Sequence, residues 1–185
     1  FSKNEFDIQK NRTISSIIED ESEPSEIAIN LFFKKIYNKH PYAYPTNGTK
    51  NTIKKIKRKD VLSFYKKNIN VNTASIAIVS PLPNEEIIKL SEKISKSLNS
   101  DTDPEKNDYN FVKNKKEKYI FKKFNSEQAH IYIGTSSIKR GSENNFPLYV
   151  ANYIFGGSGF SARLMQELRV KRGLTYGVYS YIYPM

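Results

Sequence analysis

The sequence predicts an α+β protein with two domains, on the basis of three observations. Apolar residues recur at steps of three and four through much of residues 1–98, a pattern typical of amphipathic helices. Short alternating runs rich in β-branched and aromatic residues, typical of strands, occur in both halves of the chain. Between the halves, residues 99–117 contain Ser, Asp, Asn, Pro and Lys without an apolar period, which indicates an interdomain linker.

Two helices separated by an acidic turn are predicted for residues 1–37. The turn at 19–24 interrupts the apolar period, and Pro24 is tolerated in or just before the first turn of the second helix. The period is carried by Phe6, Ile14, Ile17, Ile18, Ile27, Leu31, Phe32 and Ile36. Two prolines and an Asn-Gly pair then predict a loop at 40–49.

The rest of the first domain, 1–98, is predicted to contain a helix, a strand and another helix. Residues 60–67 place apolar side chains on one side of a helix, and the β-branched run at 73–79 alternates as a strand does. Asn84 is predicted to cap an amphipathic helix whose apolar residues continue to Leu98.

The second domain, 118–185, shows the same mixture of patterns. Its predicted elements are strands at 119–124 and 129–134, a helix from Pro147 to the Gly156-Gly157 pair, a helix at 161–170, and a strand at 175–183. The last strand carries Tyr179, Tyr181 and Tyr183 on one face. Such a strand should have neighbouring strands, which are missing from this chain.

The composition excludes several kinds of active centre. There is no cysteine, so a disulfide framework, a thiolate zinc site, an iron–sulfur cluster and a thiol nucleophile are all excluded. His40 and His130 are the two histidines, and neither has a partner at motif spacing. We interpret His40 as a structural loop residue. His130 alternates with Ile131 and Ile133, so it is predicted to face away from the core.

The net charge of +11 comes mainly from Lys and is not taken as evidence for nucleic acid. Proteins that read nucleic acid rely on Arg forks and exposed aromatic side chains, whereas a Lys-rich linker is simply well solvated. Polyanion binding through 113–123 is the weakest alternative. No run of the sequence approaches the roughly 18 to 20 apolar residues that a membrane span requires.

Three stretches carry a resemblance to a known family. The most distinctive is GGSGFSARLMQELRVKRGLTYGV at 156–178, and the others are IYNKHPYAYPTNGTKNTI at 36–53 and QAHIYIG at 128–134. In this order they resemble the pitrilysin-type zinc peptidases, the family of insulin-degrading enzyme and mitochondrial processing peptidase. The resemblance covers nearly the whole chain.

The resemblance implies tandem homologous domains, each an antiparallel sheet covered by helices, that close like a clam shell around an extended peptide. Residues 1–98 would be the later part of the first domain and 118–185 the early part of the second. In the family, the second domain supplies an Arg and a Tyr seven residues apart that reach the substrate backbone. Here these are Arg169 and Tyr176, both hydrogen-bond donors suited to a peptide carbonyl. Alternatively, Arg169 is a helix-end cation and Tyr176 a sheet aromatic.

The chain departs from the family at the zinc site. The H-x-x-E-H motif that would hold zinc in the first domain does not occur, and the position of the remaining Glu ligand falls on Ser16. A serine hydroxyl is a poor zinc ligand. A shift of three residues would bring Glu19 to that position instead. We therefore assign no catalytic and no metal-binding residue to this chain.

The resulting hypothesis is a non-catalytic member of the family that contributes a peptide-binding groove beside a zinc-bearing homologous subunit. Zinc is expected only in that partner or in a segment upstream of this chain. Two alternatives stay open: an active zinc metalloendopeptidase whose H-x-x-E-H lies upstream, and a non-catalytic protein that only binds peptides or acts as a scaffold. By the resemblance, a periplasmic or envelope-associated location is expected.

Overall fold

The structure is a computed structural model that describes residues 1–98, 109, 119–139 and 141–183. Its regular elements are mainly helices: α1 (Lys3–Asp20), α2 (Pro24–Tyr37), α3 (Lys50–Lys55), α4 (Arg58–Asn68), α5 (Asn84–Lys96) and α6 (Asn145–Asn152). The chain forms two compact units, Phe1–Gly134 and Thr135–Met185. Except for Tyr109, the predicted linker at 99–117 lies outside the described residues, so the predicted domain boundaries stay a prediction.

The predicted α+β fold, with antiparallel sheets covered by helices, is wrong for the described residues. The runs at 74–79, 119–124, 129–134 and 175–183 belong to neither a helix nor a sheet there. Alternation specifies an extended segment with two faces, but a sheet also needs a neighbouring strand to complete the hydrogen-bond ladder. Accordingly, side chains that a sheet would cover are exposed, as in Ile133 at 92%.

The helices predicted at the start of the chain are confirmed as α1 and α2. Ser2 and Glu5 form a capping box at the beginning of α1, with the Glu5 backbone N–H donating to Ser2 Oγ at 3.2 Å. Along the same helix, Lys10 Nζ donates to the carbonyl oxygens of Lys54 at 2.8 Å and Ile56 at 2.7 Å. These carbonyls lie at the end of α3, so a cation from α1 satisfies acceptors that the helix leaves open.

The other helices of the first unit agree with the sequence to within a few residues. The helix predicted at 60–67 is α4, and the predicted amphipathic helix is α5. Asn84 is the first residue of α5 and Pro83 occupies the cap position, so the predicted cap is wrong by one residue. The sequence did not predict α3, whose six residues are too few to show a period and whose start is marked by the Thr49 and Thr52 capping box.

In the second unit, α6 continues directly into a π-helical segment, Tyr153–Gly157. A 3₁₀ turn at Gly159–Ser161 and a second π-helical segment, Met165–Val170, follow. Ala162 and Met165 are fully buried between these elements. The two helices predicted for this region are therefore confirmed, and each of them contains a π-helical segment that the sequence did not predict.

A clasp, formed by Asn152, Gly156 and Ser180, holds the extended segment 174–183 against α6 and its π-helical continuation. The Ser180 backbone N–H donates to the Gly156 carbonyl at 3.2 Å, and Asn152 Nδ2 donates to the Ser180 carbonyl at 3.3 Å. Gly156 is buried, and a Cβ at this position would lie 2.6 Å from Ser180 N. The close approach of two backbones explains why a glycine occurs here.

Candidate functional site

The candidate site is built around Arg169 and Tyr176, which the structure brings together. The Cζ atom of Arg169 lies 4.6 Å from the centroid of the Tyr176 ring and 4.7 Å from that of the Phe160 ring. Both distances are within the range of a cation–π interaction. We call these three residues the arginine stack. Arg169 is partly buried, whereas Tyr176 is 88% exposed and Phe160 63% exposed.

The helix end determines where Tyr176 lies. Gly173 has φ +62°, a left-handed conformation that favours glycine and stops the helix. Its N–H donates to the Arg169 carbonyl at 3.0 Å, and the Leu174 N–H donates to the Leu168 carbonyl at 2.9 Å. The chain therefore turns back over its own last helical turn, and this reversal places Tyr176 beside the Arg169 side chain.

A second local turn fixes the backbone around Tyr176. The Thr175 hydroxyl donates to the Gly177 carbonyl at 2.9 Å, and its oxygen accepts from the Gly177 N–H at 3.2 Å. Hydroxyl side chains commonly stabilise turns in this way. Tyr176 is thus held at its backbone on both sides while its ring stays accessible to solvent.

The Gly-rich turn positions Phe160. Gly159 has φ +67°, which again favours glycine, and the Ala162 N–H donates to the Gly159 carbonyl at 3.1 Å to close the 3₁₀ turn. The side-chain amide of Gln166 donates to the Phe160 carbonyl at 2.8 Å. Gln166 and Arg169 both lie on the π-helical segment Met165–Val170, and one of them holds the Phe160 backbone while the other contacts its ring.

The charges around the arginine stack are mainly positive. Glu167 is the acidic residue of this helix, and its carboxylate binds Lys171 Nζ at 2.5 Å. The hydrogen bond and the charge of Lys171 lower the pKa of Glu167, and Arg172 and Arg163 add to the effect. This carboxylate is paired with Lys171, and Arg169 forms no ion pair within the part of the chain that the structure describes.

The donors of the site are accordingly available to a ligand. No hydrogen bond is recorded for the guanidinium of Arg169 or the phenol of Tyr176 among the described residues. A guanidinium carries five N–H donors and a phenol one O–H. Such a pair can bind the carbonyl oxygens of an extended peptide or a carboxylate.

The resemblance relates Ser16, or Glu19 as its alternative, to one position of the zinc site of the family. Ser16 is partly buried and Glu19 exposed, both on α1. Within the described ranges, no three His, Asp or Glu side chains are arranged to hold a metal ion.

The two histidines belong to the first compact unit, whereas the arginine stack belongs to the second. His40 Nδ1 accepts from the Tyr42 N–H at 3.3 Å, and the imidazole lies 4.7 Å from the Tyr42 ring and 5.8 Å from the Tyr37 ring. This capping of a 3₁₀ turn supports the structural role predicted for it.

His130 is exposed, as predicted, but the isoleucines with which it alternates are not covered. Ile131 and Ile133 are exposed, while the neighbouring Tyr132 contacts Phe32 of α2 with its ring centroid at 6.1 Å. The aromatic partner on α2, which lies far away in the sequence, decides which face of this extended segment is covered.

Sequence reasoning missed Phe160 and Gln166. The available signal was an aromatic residue on a glycine-containing turn directly before a helix, followed six residues later by a side chain that can donate to its carbonyl.

In the described part of the chain, no helix is both long and apolar enough to cross a bilayer.

The sequence and the structure are similar to those of known proteins. The family model of the peptidase M16 inactive domain matches residues 55–184. An uncharacterized zinc protease of Bacillus subtilis is 29% identical over 98% of this chain and 43% of its own length. A protein of Helicobacter pylori described as a non-peptidase homolog is 27% identical over 97% of this chain and 41% of its own length.

A solved structure has the same fold. The crystal structure of a peptidase M16 inactive domain from Pseudomonas fluorescens matches this chain with a TM-score of 0.83 and 26% identity. The match covers 100% of this chain and 44% of that one. The chain thus spans less than half the length of the relatives that it matches.

Proposed function

Because the chain belongs to the family of the peptidase M16 inactive domain, we propose that it contributes a peptide-binding groove to proteolysis by a zinc-bearing homologous subunit. Membership confirms the resemblance to the pitrilysin-type peptidases and the interpretation as an inactive-domain member. The groove and the partner subunit are the proposal.

The observation that carries the proposal is the contact between Arg169 and Tyr176. Seven residues separate them in the sequence, yet the guanidinium lies 4.6 Å from the phenol ring. The guanidinium and the phenol ring therefore lie in contact at a single place on the surface, where they offer N–H and O–H donors to a ligand. A peptide backbone offers matching carbonyl acceptors, and its carbonyl gains negative charge during hydrolysis, which charged and neutral donors stabilise.

The positive surroundings support a ligand that carries negative charge or partial charge. Arg163, Arg169 and Arg172 lie on or beside the helix, and Glu167 is paired with Lys171. With the local carboxylate neutralised, the field at Arg169 attracts oxygen acceptors. The role that follows for this chain is to bind and orient a peptide, while bond cleavage requires groups from elsewhere.

One alternative is favoured by a specific observation. The Bacillus subtilis relative is described as a zinc protease and is more than twice as long as the part that matches this chain. The longer protein that contains this chain would then be an active peptidase with its metal motif in another segment. An H-x-x-E-H in the full reading frame, together with chelator-sensitive cleavage by the purified protein alone, would support this alternative over ours.

The proposal is tested by measuring peptide binding with the full-length protein. A fluorescein-labelled unstructured peptide is titrated with wild-type protein and with Arg169→Ala, and fluorescence anisotropy gives Kd. A lost hydrogen bond to a charged group costs about 1.5–3 kcal/mol, so Kd should rise by roughly tenfold or more. Arg172→Ala, which removes an exposed cation of the same helix end, is the matched control; it weakens only the positive field, so Kd should rise by a clearly smaller factor, about two- to threefold.

The same titrations can also refute the proposal, if the Arg169→Ala and Arg172→Ala variants bind the peptide equally well. Equal Kd values for wild type, Arg169→Ala and Arg172→Ala would show that the arginine stack does not bind peptide. In a second arm, a separately purified zinc-bearing homologue is added and peptide cleavage is followed. Cleavage that is unaffected by Arg169→Ala combined with Tyr176→Phe would refute the contribution to proteolysis.

A further inference from the structure

We infer that Phe160 is a positioning residue that holds the Arg169 guanidinium for binding of peptide carbonyl groups. The inference rests on the proposed function, in which Arg169 is a donor to the peptide. It assigns a role to a residue outside the Arg/Tyr pair, and it treats the three members of the arginine stack as a unit.

The geometry places one cation in contact with two aromatic rings. Arg169 Cζ is 4.7 Å from the Phe160 ring centroid and 4.6 Å from the Tyr176 ring centroid. A planar guanidinium interacts with aromatic rings through its face, and its N–H groups point outward in its plane. Ring contact therefore restricts where the guanidinium lies without using its hydrogen-bond donors.

The exposure of Phe160 indicates that its ring does not serve the core. The side chain is 63% exposed, whereas the core of this unit is formed by residues such as Ala162 and Met165, which are fully buried. The ring contact recorded for Phe160 in the described ranges is the one with Arg169. An aromatic ring that is largely solvated and touches a cation affects the position of that cation more than the stability of the fold.

The backbone below Phe160 is fixed independently of its ring. The Gln166 amide donates to the Phe160 carbonyl at 2.8 Å, and the turn is closed by the bond from the Ala162 N–H to the Gly159 carbonyl at 3.1 Å. A substitution of the ring should therefore leave the turn in place. The consequence of losing the ring is a more mobile Arg169 side chain, which has to be ordered when the peptide binds.

Three substitutions test the inference. Phe160→Leu keeps an apolar side chain but removes the ring, whereas Phe160→Tyr keeps an aromatic ring. Phe155→Leu is the matched control, because Phe155 is an exposed phenylalanine of the same unit without a recorded ring contact to Arg169. The thermal unfolding midpoint of each variant is measured to show that all of them fold.

The first readout is NMR of the Arg169 side chain in the full-length protein, which does not depend on peptide binding. Loss of the ring current in Phe160→Leu should shift the Arg169 Hδ and Hε resonances downfield and lower the order parameter of Nε. Phe160→Tyr should restore both values, and Phe155→Leu should leave them as in the wild type. Unchanged Arg169 resonances in Phe160→Leu would overturn the inference.

The second readout is the peptide Kd from the anisotropy assay. If the Arg169 side chain has to be ordered when the peptide binds, affinity should fall by roughly two- to tenfold. The peptide Kd should therefore rise by that factor in Phe160→Leu and stay near the wild-type value in Phe160→Tyr. If Arg169→Ala weakens binding but Phe160→Leu does not, the inference alone is overturned. If Arg169→Ala binds as tightly as wild type, the proposed function fails as well, and the two failures are thereby distinguished.

Discussion

Replacing Gly156 with alanine should destabilise the second unit, because the added methyl group has no room. Its Cβ would lie 2.5 Å from Ser180 Oγ and 2.6 Å from Ser180 N, and 2.9 Å from Leu164 Cδ1. A serine hydroxyl or a leucine methyl can rotate away, but the Ser180 backbone nitrogen cannot. Relief therefore requires segment 174–183 to move off the π-helical segment Tyr153–Gly157.

The expected magnitude follows from the groups involved. Overpacking costs about 1–3 kcal/mol, and the bond from Ser180 N–H to the Gly156 carbonyl is worth about 1 kcal/mol if it breaks. Alanine recovers about 0.5–1 kcal/mol through its better helix propensity. The free energy of unfolding should accordingly fall by about 2 kcal/mol, or about 4–8 °C in Tm for a chain of this size.

The assay is urea denaturation of the full-length protein followed by circular dichroism, with Gly157→Ala as the matched control. A Cβ at Gly157 would meet Asn152 Nδ2 at 3.0 Å and the Asn152 carbonyl oxygen at 3.2 Å, so its nearest backbone contact is longer than the 2.6 Å to Ser180 N at Gly156. Gly157→Ala should cost less than about 1 kcal/mol. Loss of stability that is equal in the two variants within about 0.5 kcal/mol, a typical error for such differences, would refute the reasoning from backbone contact.

Two further predictions concern charged groups. Lys10→Met removes the ammonium that binds the Lys54 and Ile56 carbonyls, and it should lower the free energy of unfolding by about 1–2 kcal/mol, whereas Lys3→Met on the same helix should change it little. The pKa of Glu167 is lowered, so its carboxyl group holds a proton less tightly in the folded state than in the unfolded state. The ionised carboxylate therefore stabilises the fold above the ordinary pKa of 4.5, and this stabilisation is lost as the pH falls through the lowered pKa. Urea midpoints at acidic and neutral pH should therefore differ less in Glu167→Gln than in wild type, and an equal difference would contradict the role of the Lys171 pair.

The helices could be predicted from the sequence because their signals are local. Apolar period and turn residues lie within the element itself, as for α1, α2 and α4. The six-residue α3 escaped because it has less than two turns in which a period can appear. Its capping threonines were the available signal, and they also occur in ordinary loops.

Alternation was not enough to predict sheets correctly, because a sheet depends on residues far apart in the sequence. Alternation at 129–134 identified an extended segment, but the aromatic residue Phe32 on α2 selected Tyr132, and not Ile131 or Ile133, for contact. Pairing between strands is also non-local, and no property of one run reveals whether a partner is present. The sequence therefore indicated local conformation correctly more often than it indicated tertiary contact.

Part of the candidate site could be predicted from the sequence, because two of its residues belong to one local motif. Arg169 and Tyr176 are seven residues apart and belong to one motif, so the resemblance was enough to select them. Phe160 lies nine residues before Arg169, and its role depends on how the Gly159 turn and the Gln166 amide bring its ring over the helix. That relationship is visible only in three dimensions.

The clasp at Gly156 and the arginine stack act on one segment, which links the stability of this unit to its proposed role. Segment 174–183 is anchored at one end by the helix stop at Gly173 and at the other by the bonds of Ser180 to Asn152 and Gly156. Tyr176 lies between these anchors, four residues or roughly 13 Å of extended chain before Ser180. Because a chain fixed at both ends has fewer conformations than one fixed at a single end, the clasp restrains the ring that contacts Arg169. The glycine that permits backbone contact thus contributes to the order of the proposed binding site, although it lies outside the arginine stack itself.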